Sequence, residues 1–229
     1  MKITANQIQD LYNFTRLHFV EHYDLQTELV DHLANDIEHI WEAKPQLPYE
    51  EAKTIAFKKF GVFGFMDVVS KRQKAMGKRY VKFLWHEFKE WFTLPKLLIT
   101  VSIFIACYAM FSSAYMAAML IISYSLILVW STFKSIKLNR QFRRRKEKSN
   151  KKWMLEEMIF RQAGGAGLIL ISQLPTWYNI SLDHSNSFWF TLGVSVFTTL
   201  FIIYMFVSLE LLPNKAETLL NKTYPEFSL

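Results

Sequence analysis

The chain has 229 residues, 51% of them hydrophobic and 16% aromatic, with 21% charged residues and a net charge of +7. The charges are segregated: residues 1–63 hold six Lys or Arg against ten Asp or Glu, whereas residues 134–152 hold ten basic residues and one acid, Glu147. A basic run of this kind beside long apolar stretches points to an anionic membrane surface before nucleic acid, and one cysteine, Cys107, leaves no intramolecular disulfide and no zinc-type Cys/His spacing.

The first 20 residues are polar and helix-like, so no cleavable signal peptide is expected. Thr4 and Gln7 have capping-box spacing, and Ile8, Leu11, Tyr12 and Thr15 follow as a helical stripe. A second helix is expected from Asp24 as N-cap, with Leu25, Leu29, Leu33, Ile37 and Ile40 on one face, widened by Val30 and Trp41. Pro45 and Pro48 end it, and Pro48 suits the first position of a third helix carrying Tyr49, Ala52, Ile55, Ala56 and Phe60. Gly61 is its natural C-terminal cap. Residues 1–63 thus read as a small helical domain whose core is marginal alone.

Residues 64–92 form a basic amphipathic connector. Phe65, Val69, Met76, Tyr80, Phe83, Leu84, Phe88 and Trp91 share a stripe, and seven Lys or Arg between Lys71 and Lys89 supply the polar side. Two readings stand: a helix lying in the membrane interface, or a linker helix packed on the N-terminal domain.

Residues 93–212 are expected to form a four-helix transmembrane bundle. Leu97 to Phe133 contains no charge, too long for one span and right for two, Lys96 to Ser113 and Ala114 to Phe133, turning at Ser112-Ser113. The third is expected over about residues 159–178 and the fourth over about 188–209. Trp85, Trp91, Trp130, Trp153, Trp177 and Trp189 fall near the expected interfaces. Four spans put the N-terminal domain, the basic loop 134–152 and the tail 213–229 on one side, which the positive-inside rule makes the cytoplasm.

The second helix carries the one cluster resembling a site: Glu28, Asp31, His32, Asn35, Asp36 and His39. Asp36 and His39 have the carboxylate–histidine spacing of metal bundles. The face points away from the apolar stripe, however, and has no matching inward carboxylates, so it reads as a solvated or partner-docking surface and no metal ligand is assigned. Metal binding, and titration of its histidines as a pH sensor, are the other uses of such a face. Arg143, Arg144, Arg145 and Lys146 read as lipid-facing basic residues, with docking of the acidic N-terminal domain as the alternative. Ala163, Gly164 and Gly167 form a small-residue patch for helix packing within the bundle or for self-association. No catalytic motif, dinucleotide fingerprint or phosphate loop occurs, so no catalytic or cofactor-binding residue is assigned.

The segments YDLQTELVDHLANDIEHIW (Tyr23 to Trp41) and PYEEAKTIAFKKFG (Pro48 to Gly61) resemble the N-terminal helical domain of HAAS-type, PadR-associated signalling proteins and of permease-prefix domains in small bacterial membrane proteins. The shared pattern is Glu28, Leu29, Asp31 and His32 on one helix, then an acidic-alanine helix ending in Phe60 and Gly61. The resemblance implies a cytoplasmic module ahead of membrane spans, without catalytic residues, in the bacterial inner membrane. The expected function is that of a non-enzymatic regulatory or accessory membrane protein. Its partners would be membrane lipids and a protein or membrane subunit, with homo-oligomers open, no nucleic acid and no cofactor. A small oligomeric transporter or permease component is the alternative, and a metal-dependent enzyme using His32 and His39 comes third.

Overall fold

The computed structural model describes residues 2–161, 175–183, 187–224 and 227. Among these, every regular element is helical, as the sequence pattern requires. The chain divides into two compact units, one of Met1–Lys78 with Lys146–Leu155, the other of Arg79–Arg145 with Glu156–Leu229.

The first unit begins with α1 (Ala5–Leu17), whose capping box is formed: the Gln7 amide donates to the Thr4 side chain, and the Thr4 amide donates to Gln7 Oε1 at 2.8 Å. α2 (Tyr23–Ala43) buries Leu25, Leu29, Val30, Leu33, Ile37 and Trp41. α3 (Tyr49–Lys58) contributes Ala52 and Ala56, small enough to let the helices approach. The Trp41 indole N–H donates to the Leu47 carbonyl at 2.9 Å and so ties the α2–α3 loop to the core. At the far end of α3, Phe14, Phe57, Phe60 and Phe65 interlock, with His18 4.6 Å from the Phe57 ring. Gly64, at φ +53, makes the turn below this cluster; a Cβ there would lie 2.9 Å from Phe57 Cζ, so a larger residue would displace that ring and strain the backbone.

Asp10 joins α1 to α3. Its carboxylate accepts from the Tyr49 hydroxyl at 2.8 Å and from the Lys53 ammonium at 2.7 Å. The Lys53 hydrogen bond outweighs burial and holds the Asp10 carboxyl below the usual range. The folded pKa is therefore lower than the unfolded one, and the stabilisation is present above the unfolded value and lost as pH falls through the folded one. Because the Asp10 side chain is 44% exposed, the contribution is below about 1 kcal/mol. Asp10→Asn is expected to remove this acid limb, so that melting curves of mutant and parent converge as pH drops below about 4.

α4 (Met66–Lys89), whose residues from Arg79 onward belong to the second unit, runs on through a single 3-10 turn, Glu90–Phe92, and bends by 82° into α5 (Lys96–Phe111). α6 (Met116–Ser149), α7 (Met154–Arg161), α8 (residues 175–183) and α9 (Phe188–Phe206) follow. α9 continues through a π turn at Val207–Leu211 to Asn214, before a C-terminal helix, Ala216–Thr223. Two helices are long and apolar enough to cross a membrane, Met116–Ser149 and Phe188–Asn214, and a third is reached only if the bent α4–α5 pair counts as one span. The chain is thus a membrane protein with two or three such helices among its described residues, not clearly the expected four. The shortfall has two sources. α5 has 16 residues, about 24 Å of helix, short of a hydrocarbon core of about 30 Å. Most of the expected third span lies outside the described residues.

Residues 134–149 are not a loop. They continue α6, whose 34 residues reach about 51 Å, well past a hydrocarbon core. Lys, Arg, Gln and Leu are strong helix formers and no Gly or Pro interrupts them; the helix ends where Asn150 takes φ +50. The unit's core gathers Cys107 and Phe111 of α5, Met116, Leu120 and Tyr124 of α6, and Val194 of α9. The Tyr124 hydroxyl lies 3.0 Å from Thr198 Oγ1, and the Ser195 and Thr199 hydroxyls donate to carbonyls one turn back. Such pairing is what an environment without water demands of polar groups. At the end of the apolar stretches, Lys134 of α6 and Glu210 beyond α9 form an ion pair.

Candidate functional site

Helical spacing dictates the outward face of α2. With Leu29, Leu33 and Ile37 fully buried, positions 28, 31, 32, 35 and 39 fall on the opposite side at 100° per residue. Glu28, Asp31, His32, Asn35 and His39 are all exposed, and Asp36 is half-buried at the edge of the row. Three of the six have charged neighbours. Arg72 approaches Glu28 at 3.4 Å, Lys59 donates to Asp36 at 2.8 Å, and His39 lies 3.1 Å from Glu42. Among the described residues no group of three or more His, Cys, Asp or Glu is placed to hold a metal ion. Replacing His32 and His39 together by Gln is expected to move the unfolding midpoint by an amount equivalent to less than about 0.5 kcal/mol. A much larger shift in thermal unfolding would show that the face is structural rather than free.

Asp24 departs from the expected role of N-cap. α2 starts two residues earlier, with His22 at the N-cap, and the Asp24 side chain is buried. Its carboxylate accepts from the Met154 amide at 3.3 Å, the first residue of α7, and faces the Arg72 guanidinium at 3.5 Å. An acidic side chain at that position satisfies an orphan donor of a helix start and complements its partial positive charge. The same segment docks elsewhere on the domain. The Tyr23 amide donates to the Lys152 carbonyl at 2.7 Å, Lys152 pairs with Glu21 at 2.6 Å, and Trp153 packs edge-on against Tyr23 at 5.3 Å. Lys151 sits 4.5 Å over the Tyr23 ring. The end of the basic stretch is thus bound to the acidic helical domain, a contact between residues about 130 apart in sequence.

The four consecutive basic residues Arg143 to Lys146 of α6 do not behave alike. Arg143, Arg144 and Lys146 are exposed. Arg145 instead turns inward, donating to Glu156 at 2.6 Å and Glu217 at 3.1 Å, with its guanidinium 5.6 Å over the Phe160 ring. Burial pushes the Glu156 carboxyl up, and the Arg145 guanidinium offsets this only in part. Arg145 therefore holds α6, α7 and the C-terminal helix together within the second unit, a role its position in a basic run concealed.

A cleft of about 390 Å³ opens beside the docked segment, lined by Arg16, Tyr23, Gln26, Lys146 and Lys151 among others. None of Glu28, Asp31, His32, Asn35, Asp36 or His39 lines it, so the α2 row is a surface rather than the wall of that cleft. Ala163, Gly164 and Gly167 lie outside the described residues. Comparison with protein-family models, with curated proteins and with solved structures finds no match for this chain.

Proposed function

We propose that the chain is a non-enzymatic accessory or regulatory protein of a bacterial inner membrane, threaded four times, whose N-terminal helical domain faces the cytoplasm and binds a protein partner through the outer face of α2. One observation carries the reading: a row of acidic, amide and imidazole side chains is exposed along a helix whose opposite face is fully buried. A helix fixed in that way presents its outer side chains in a constant geometry, and preorganised polar groups bind without a large ordering cost. The resemblance of Tyr23 to Gly61 to HAAS-type and permease-prefix domains supports the same role. The positive-inside rule supports the orientation, because Arg143, Arg144 and Lys146 are exposed on the basic end of α6.

A small oligomeric transporter component is the second reading, and it would need a hydrated path through the bundle. The buried hydroxyls of α9 favour helix packing instead, since Ser195 and Thr199 bond to the helix's own backbone. The test is a photo-crosslinking residue at position 35, in place of Asn35, in the full-length protein in its membrane. A discrete protein adduct is expected there and not from position 51 on α3. It should vanish when Asp31→Lys and His39→Glu rearrange the charges along the row. An adduct indifferent to that rearrangement, or none at all, removes the docking face.

A further inference from the structure

Beyond Lys78, α4 and its 3-10 extension have three faces. On the first, Tyr80 and Leu84 are buried, the Tyr80 hydroxyl lies 3.1 Å from Ser208 Oγ, and Lys215 donates to the Glu87 carboxylate at 2.7 and 2.8 Å. Trp91 completes this face, with its ring 5.5 Å from Phe206 and nearly perpendicular to it. The second face carries Arg79, Lys82, His86 and Lys89, all exposed. The third carries Val81, Trp85, Phe88 and Phe92, at the three- and four-residue spacing that makes a single stripe. Val81, Trp85 and Phe92 are 59%, 52% and 43% exposed. Trp85 stacks on Phe88 at 5.7 Å and Phe88 meets Phe92 at 5.5 Å, so the rings form a ladder that no other element covers among the described residues. The Lys89 ammonium sits 5.3 Å over the Trp85 ring.

The surroundings give this ladder a direction. The 82° bend means that, with α5 along the bilayer normal, α4 lies close to the membrane plane. Trp91, at the border of the packed face and the ladder, touches Phe206 inside the apolar stretch of α9. Glu87, at the border of the packed face and the charged face, pairs with Lys215 beyond that stretch. The ladder therefore looks toward the level of the apolar helices and the charged face looks away from it. An exposed aromatic stripe flanked by lysines, at the mouth of an apolar helix, has the composition of an interfacial anchor.

We propose that Val81, Trp85, Phe88 and Phe92 are a lipid-binding surface, seated among the headgroups of an anionic leaflet, with Lys82 and Lys89 extending along it to the phosphates. The stripe read from sequence mixes two surfaces: Tyr80, Leu84 and Trp91 face protein, and Phe88 belongs to the ladder facing lipid. This surface is separate from the α2 row and does not depend on a protein partner there.

Spin labels on the full-length protein test it, in vesicles of equal parts phosphatidylcholine and phosphatidylglycerol. The positions are Val81→Cys, Trp85→Cys and His86→Cys, each with Cys107→Ala. Labels at 81 and 85 are expected to collide preferentially with oxygen, and the label at 86 with a water-soluble nickel chelate. Agreement of 81 with 85 guards against a local effect of removing the tryptophan. Nickel access at 81 and 85 equal to that at 86 would place the ladder in water and overturn the proposal. Shielding of 81 and 85 from both agents would mean that protein covers them, and a split between 81 and 85 would break the single face; either result overturns it too.

Discussion

Leu33→Ala is expected to unfold the N-terminal helical unit while the membrane helices still insert. Leu33 is 0% exposed at the centre of the α2 stripe, and truncating such a leucine costs roughly 2–5 kcal/mol, including the cavity it leaves. A small domain has a total stability of about 5 kcal/mol or less to set against that loss. Insertion depends on the hydrophobicity of α6 and α9 themselves, which the substitution leaves untouched. Limited proteolysis of membranes reads the result: the mutant should lose its N-terminal fragment and keep a protected membrane core. Disappearance of the whole protein would show that the two units fold as one, and an N-terminal fragment as resistant as the parent's would refute the inner face assigned to α2.

Asp24→Ala is expected to release the 150–155 segment from the helical domain. The Asp24 side chain is 2% exposed, and its removal leaves the Met154 amide without its acceptor and Arg72 without its buried counter-charge. A buried donor left unsatisfied costs about 1–3 kcal/mol, and a buried pair broken on one side about 3–5 kcal/mol. Arg72 keeps some access to water at 29% exposure and retains Glu28 at 3.4 Å, so the lower end of that range applies. Amide hydrogen exchange should show faster exchange at residues 150–155 with little change at α3. Unchanged protection of 150–155 would mean that the Tyr23–Lys152 backbone bond and the Trp153 packing hold the segment without Asp24.

The parts of this fold governed by local patterns could be read from the sequence. The Thr4–Gln7 capping box, the α2 stripe through Leu33 and Ile37, and the turn near Ser112-Ser113 depend on residues a few positions apart, and the structure forms each of them. Pro48 is off by one position, standing at the N-cap rather than inside α3, a shift ordinary at helix ends. The basic stretch failed differently: charge density suggested a loop, but helix propensity continues through it, and only Asn150 breaks the run. Asp24 and Arg145 take roles that the sequence does not display, because their partners are distant in sequence. No periodicity within α2 indicates that Met154 will come to its N-terminus, and no feature of the run Arg143 to Lys146 distinguishes the arginine that meets Glu156 and Glu217. The exposed row on α2 was legible because burial of one helix face fixes the other. The ladder on α4 was not, because its aromatic residues split between a protein-facing and an outward surface that only the position of α9 separates.

The threading of the chain is tested most directly by labelling single cysteines with a membrane-impermeant maleimide in intact cells, in a Cys107→Ala background. Ser113, in the turn between α5 and α6, and Ser149, at the basic end of α6, stand at opposite ends of a helix of about 51 Å. The expected outcome is that Ser113→Cys reacts from outside, whereas Ser149→Cys reacts only after the membrane is opened. Labelling of Ser149→Cys in intact cells, with Ser113→Cys protected, would contradict it by placing the basic end of α6 and the helical domain bound to its continuation outside.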